Sequence, residues 1–291
     1  MCRFRYGSQP IGSHCNDGWD NGGMRSKTPY DGRARTVIAL TVLVCLIVPV
    51  IGFQLCRSTL IPAVETRILI SLSKWPESFH DCSAVFAFMF STGGCVALLA
   101  VLGIIDFRFV RSMRTVLGDI IVAASPIVYV TGIKWLVERP RPITAAQSNL
   151  LPSDPSFPSG HTAGAVIVAT MIILTVRNAA YRKMEDTRGQ YRGGGTTSAG
   201  SSARSSARSS VGSADGNTAD HVERNIIADY TKRAVPVCVV LVVAVAASRL
   251  MLGVHFPTDV CTSAIVCPLI SYTVWVIREH LRMTREQHGC A

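Results

Sequence analysis

Six apolar runs of membrane-spanning length divide the chain, at residues 37–56, 84–105, 115–133, 159–176, 235–252 and 260–277. A helix needs roughly 20 residues to cross a bilayer's hydrocarbon, and polar residues bordering the short fourth and sixth runs extend them. Backbone groups in lipid must be satisfied within the segment, so the pattern predicts an all-α, six-helix integral membrane bundle. Asp119 interrupts the third run one turn from its start, where an acid reads as snorkelling to the nearby surface. Between the first two runs, Ile61, Val64, Ile68, Leu72 and Trp75 recur at helical spacing. They predict an amphipathic helix in the membrane interface.

Elsewhere the pattern stops. From about 184 to 224 the chain includes "RGGGTTSAGSSARSSARSSVGSADG", rich in Gly, Ser and Arg and without an apolar period. A disordered loop is expected there. Residues 1–34 form a polar, basic arm, expected to be disordered, with no apolar core for a cleavable signal; the first run then acts as an uncleaved anchor. The organisation predicted is an arm at 1–34, a six-span domain at 35–280 interrupted by that loop, and a tail at 281–291.

Composition agrees with a membrane protein: of 291 residues 48% are hydrophobic and only 16% charged, against about 25% charged in soluble domains. The net charge of +10 matters through its placement. Arg25, Lys27, Arg33 and Arg35 precede span one; Arg108, Arg111 and Arg114 follow span two. Arg177, Arg182 and Lys183 follow span four, and Arg278, Arg282 and Arg285 follow span six. A six-span topology puts all four segments on one side, which the positive-inside rule makes cytosolic. Both termini are then cytosolic, and loops one, three and five face the lumen or exterior. Ten cysteines with no CxxC pair argue against zinc or a disulfide framework. Cys56 and Cys82, near external span ends, are expected to be free thiols.

Three polar clusters fall on the external side. "KWLVERPRP" places Lys134 seven residues before Arg141, "PSGH" ends loop three at His161, and "SRLMLGVHFPTD" carries Ser248, Arg249, His255 and Asp259. Lys134, Arg141 and Arg249 suit a phosphate dianion. Ser159 reads as the N-cap of span four, leaving backbone N–H groups, those of Gly160 and His161 included, directed at an anion. Gly160 permits close backbone approach. Two histidines suggest a nucleophile and a general acid. Asp259, one helical turn after His255, would hold one ring nitrogen and make the other more basic. His255 is thus read as nucleophile and His161 as acid. His255 and Asp259 at i, i+4 with His161 could instead bind a metal, but three cations would repel it. Each cluster alone also has a plain reading, as headgroup anchors or a helix cap with an incidental histidine. Their shared side is what favours a site.

This three-part pattern, K-x6-RP, PSGH and SR-x5-H-x3-D, resembles that of the type 2 phosphatidic acid phosphatases in the acid phosphatase and vanadium haloperoxidase superfamily. Every specified position is matched, over a region of roughly 37–277. The resemblance implies a metal-independent lipid-phosphate phosphatase, without cofactor, acting through a phosphohistidine at the external or lumenal face. It assigns His255, Asp259 and His161 to catalysis and Lys134, Arg141, Ser159, Gly160 and Arg249 to the phosphate. Six spans argue against the soluble haloperoxidase branch. Phosphatidic acid is the default substrate; sphingoid-base phosphates, lysophosphatidate and polyprenyl diphosphates are rivals. A catalytically silent lipid-phosphate binder is the alternative from another class, and retention of both histidines weighs against it; a transporter or channel is another, disfavoured because the ionisable residues cluster at one face. The partners expected are the bilayer and a lipid phosphate, with no nucleic acid. An endoplasmic reticulum or other internal membrane, or the plasma membrane, would house the protein.

Overall fold

A computed structural model describes residues 29–142, 154–193 and 216–288. It is helical throughout, with no strand among the described residues. The helices are α1 (Pro29–Arg57), α2 (Leu60–Leu72), α3 (Glu77–Met89), α4 (Thr92–Val110), α5 (Met113–Ala124), α6 (Pro126–Val137), α7 (Gly160–Gly193), α8 (Gly216–Met251) and α9 (Pro257–His288). Six segments are long and apolar enough to cross a membrane: Ala34–Arg57, Thr92–Val110, Met113–Val137, Gly160–Asp186, Asp229–Met251 and Pro257–Arg285. The protein is a multi-pass, all-α membrane bundle.

Several expected boundaries move, each for a local reason. The run at 84–105 is not one helix. Ser91 caps α4, its side chain accepting from Gly94 N at 3.2 Å, so residues 84–89 belong to α3 and the second span starts at Thr92. The third span is divided at Ser125–Pro126. Pro126 has no N–H for the Val122 carbonyl, and the Ser125 hydroxyl donates to that carbonyl instead, at 2.9 Å. Helices also enter both margins of the loop expected at 184–224: α7 runs to Gly193 and α8 begins at Gly216. Residues 194–215 lie outside the described residues, as do 1–28 of the arm. The helix α1 starts at Pro29, inside the arm expected to end at 34, and α9 continues into the expected tail.

The central element is α7. Two thirds (67%) of its apolar window is buried, against 39% or less in the other spans. It packs against α4, α5, α6, α8 and α9. Ala163, Val166, Val130 and Cys267 join it to α6 and α9, while Ala165, Val168, Phe90 and Val245 join it to α8 and the α3–α4 turn. Lipid tails are as apolar as these side chains, so close packing of small residues, rather than hydrophobicity, holds the helices together.

Asp119 does not snorkel. It is 4% exposed and meets Arg278 of α9 through Oδ1, while Oδ2 accepts from Asn178 Nδ2 at 2.9 Å. The Asn178 amide also donates to the fully buried Asp106 at 2.8 Å. An apolar third run with one acid gave no sign of these partners, which come from α4, α7 and α9. Asn178 lies 18 residues beyond Gly160, about 27 Å along α7, so this cluster ties the bundle together at the end remote from "PSGH".

At the near end, Val48 and Leu55 of α1 pack with Ile133, Val137, Phe157 and Val266. Gly52 sits in this contact. A Cβ there would stand 2.8 Å from Phe157 Cε1 and 2.8 and 2.9 Å from the two Val137 methyls. Phe157 has no exposed surface into which to retreat. Gly52→Ala is therefore expected to destabilise the protein by about 1–3 kcal/mol. Thermal unfolding of detergent-solubilised protein would read this as a lower Tm; an unchanged Tm would mean that α1 can shift away from Phe157.

Candidate active site

The polar clusters predicted from sequence converge where α6 and α8 end and α7 and α9 begin. Helix α6 stops as Glu138 turns left-handed (φ 50°), with Glu138 N donating to Lys134 O at 3.0 Å. Two Arg-Pro pairs follow, and proline excludes the preceding residue from helix. From Asp154 the described chain leads to Ser159, whose Oγ accepts from Thr162 N at 3.4 Å and from the Thr162 hydroxyl at 3.1 Å. Ser159 is thus the N-cap expected. Its own N–H donates to Asp259 O at 3.1 Å and its carbonyl accepts from Ser263 Oγ at 2.9 Å, docking the start of α7 onto α9. Helix α8 ends at Met251 and the chain turns at Gly253 (φ 62°). Pro257 opens α9, where a missing N–H costs nothing.

His255 and Asp259 are both fully buried. His255 Nδ1 lies 3.5 Å from Asp259 Oδ2, an ion-pair distance without the geometry of a hydrogen bond. Arg141 Nη1 stands 3.2 Å from His255 Nε2. A guanidinium only donates, so this contact selects the tautomer with its lone pair on Nε2 and its proton on Nδ1, facing Asp259. Burial, followed by Arg141 and Arg249, outweighs the pull of Asp259 and lowers His255 from 6.5 to about 4. The imidazole is neutral at pH 7.

Lys134 and Arg141 share one carboxylate. Lys134 Nζ donates to Asp154 Oδ2 at 2.5 Å and Pro155 O at 2.6 Å. Arg141 Nη2 donates to Asp154 Oδ1 at 2.8 Å, and Nε to Asp154 O at 2.9 Å. Burial pushes the Asp154 carboxyl up, but Lys134 and Arg141 together hold it down to about 2. Arg249 differs. It is 4% exposed, and its Nε and Nη1 are buried with no hydrogen-bond partner in the protein. Such donors are costly unless an acceptor arrives. His161, half-buried at the mouth, lies within electrostatic reach of Arg249, His255, Arg141 and Lys134. A Cβ at Gly160 would meet Lys134 Cε at an ordinary 3.6 Å, so the protein's own packing does not require glycine there.

All eight residues singled out in the sequence thus come together, and three more join them. Arg139, the first arginine of "ERPRP", donates to Asp259 and to Glu65. The pattern signalled it only as a second Arg-Pro. Glu65 comes from α2, whose expected apolar face points away from the bundle: Ile61, Val64 and Ile68 are exposed while Glu65 and Leu69 are buried. Asp154 had no signal beyond its place before "PSFPSGH". Four cations and three carboxylates leave one positive charge in excess around two histidines. Among the described residues no group of three or more His, Cys, Asp or Glu is placed to hold a metal ion.

Fold and site define a multi-pass membrane protein with a buried cationic, histidine-bearing site at one end of its bundle. The PAP2 superfamily model matches residues 116–283, more than half of the chain, and the chain belongs to that superfamily. No curated protein sequence matches it. A solved structure, the first transmembrane PAP2 type phosphatidylglycerolphosphate phosphatase from Bacillus subtilis, is similar at a TM-score of 0.53 and 15% identity. The match covers 85% of this chain and 96% of that one, and at this identity it shows the fold. Family and fold together support a membrane-embedded lipid phosphatase in general.

The unfolded chain takes up a proton at His255 near pH 6.5, the folded one not until about 4. The contribution of His255 to stability therefore falls as the pH drops through that window, and levels off below it. The Tm advantage of wild type over His255→Asn is expected to shrink between pH 6.5 and 4; a constant gap would mean a hydrated imidazole. Asp154→Asn frees two cations from a competing carboxylate and is expected to tighten binding of inorganic phosphate, measured by calorimetry. Weaker binding would show that Asp154 instead holds Lys134 and Arg141 in place.

Proposed function

We propose that the protein hydrolyses a lipid phosphomonoester such as phosphatidic acid, releasing diacylglycerol and phosphate through a phosphohistidine intermediate. The observation that carries this reading is Arg249, a buried guanidinium with Nε and Nη1 unpaired beside Arg141, His255 and His161. A phosphate dianion supplies the missing acceptors.

Lys134, Arg141 and Arg249 hold the non-bridging oxygens, with the backbone at Ser159, Gly160 and the start of α7. Phosphate reaches Lys134 and Arg141 by taking the place of Asp154. His255 attacks with the Nε2 lone pair; the Nε2–P bond forms as the ester P–O bond breaks. Asp259, on the Nδ1 side, stabilises the positive charge that the ring acquires. His161 gives its proton to the leaving alkoxide, then removes one from the water that attacks phosphorus, and Nε2 is released with inorganic phosphate. The three cations neutralise the phosphoryl oxygens, the part a metal takes in other phosphoryl transfers, so no cofactor is required. The site faces the lumen or exterior: it lies at the bundle end opposite Arg278 and the Asp119 cluster, and the basic loops set that remote end in the cytosol. Polyprenyl diphosphates and sphingoid-base phosphates offer the same terminal phosphate and are the alternative substrates.

Purified protein offered phosphatidate, lysophosphatidate, sphingosine 1-phosphate and a polyprenyl diphosphate is expected to release phosphate from at least one, with chelator present. His255→Ala should abolish this release. Turnover that survives in that variant, or that needs added metal, would overturn the mechanism.

A further inference from the structure

We propose that Arg139, anchored by Glu65, is the positioning residue for Asp259 and through it for the attacking imidazole of His255. The proposal rests on the reading of His255 as nucleophile.

Arg139 is 2% exposed and stands between two carboxylates. Its Nη1 donates to Asp259 Oδ1 at 2.6 Å and to Thr258 Oγ1 at 2.7 Å; its Nη2 donates to Glu65 Oε2 at 2.7 Å. The guanidinium carbon lies 4.1 Å from the ring centroid of Phe256. None of these partners is a residue read above as binding phosphate.

The contacts fix Asp259 oxygen by oxygen. Oδ1 belongs to Arg139, while Oδ2 accepts from Phe256 N at 2.9 Å and is the oxygen turned towards His255 Nδ1. Without Arg139 the carboxylate could rotate about its side-chain torsion and present either oxygen at any tilt. Glu65 fixes Arg139 in turn. Its other oxygen, Oε1, accepts from Thr258 N at 2.8 Å and from the Thr258 hydroxyl at 2.7 Å, at the opening of α9. A helix from the first external loop thereby reaches the catalytic pair through two buried ion pairs.

Charge gives Glu65 a second effect. Arg139 alone would cancel Asp259 and remove its pull on the imidazole. With Glu65 the three side chains carry one net negative charge. That charge opposes the positive charge the ring gains when Nε2 bonds to phosphorus.

The test compares Arg139→Gln, Arg139→Lys, Glu65→Gln and Asp259→Asn with wild type, on whichever lipid phosphate the wild type hydrolyses. Arg139→Gln is expected to lower kcat by about 10- to 100-fold, the range for residues that orient a reacting group. KM should stay within about threefold, because Arg139 does not touch the phosphate. Arg139→Lys should recover part of the loss. In an Asp259→Asn background, Arg139→Gln should cost less than about threefold more, since its effect passes through that carboxylate. If Arg139→Gln does not fold, the near-isosteric Glu65→Gln replaces it and is expected to lower kcat with KM held. Unchanged kcat, or losses that multiply in full in the Asp259→Asn background, would overturn the positioning assignment alone. Absence of turnover in the wild type would overturn the phosphatase reading and this assignment with it.

Discussion

The structure depends on how charge is compensated where the helices meet the membrane face. Lys134, Arg139, Arg141 and Arg249 are all withdrawn from water, and isolated charges in such a place are costly by several kcal/mol each. Glu65, Asp154 and Asp259 bring them compensation from three separate elements. The α6–α7 connection, helix α2 and the first turn of α9 are therefore tied to one another by ion pairs and hydrogen bonds as well as by apolar packing. Arg249 is left with two buried donors unpaired, Nε and Nη1.

Helix α7 makes the arrangement rigid. It is surrounded by five other helices, so its capped start cannot move without disturbing the bundle. Its N–H groups are presented at a position set by Ser159, which itself bonds Asp259 and Ser263 of α9. Asp259 and the start of α7 are thus joined by a backbone hydrogen bond. Preorganisation of this kind is where phosphoryl-transfer enzymes gain most, because the reaction requires positioning and charge stabilisation rather than bond-making by the protein.

Much of this was legible in the sequence, and the limits have physical causes. Six spans could be read because lipid exposure demands long apolar runs, and the eight candidate residues could be read because motif spacing survives folding. Helix breaks at Ser91 and Pro126 were missed because hydropathy averages over single capping and breaking residues. Asp119 was misread because its partners, Asn178 and Arg278, lie 59 and 159 residues away. Glu65 and Arg139 escaped notice for the same reason, since a pairing across 74 residues leaves no local pattern. In α2 the apolar repeat was correctly seen as helical, but the polar residue it left over proved to be the inward-facing one. A lone acid within an apolar helix is better read as a search for a distant cation than as surface.

The two buried polar clusters, one at each end of the bundle, differ in composition. At the remote end Asp106 and Asp119 share the Asn178 amide, Asp119 meets Arg278, and Asp106 Oδ2 has no hydrogen-bond partner in the protein. At the near end the excess is positive and the orphaned atoms are donors, those of Arg249, beside a neutral imidazole whose lone pair faces inward. The two clusters lie about one membrane thickness apart along α7. Asp106 and Asp119 are buried, as His255 and Asp259 are, but they meet an amide and a guanidinium rather than an imidazole. Unpaired guanidinium donors and a buried imidazole occur together between α6, α7, α8 and α9.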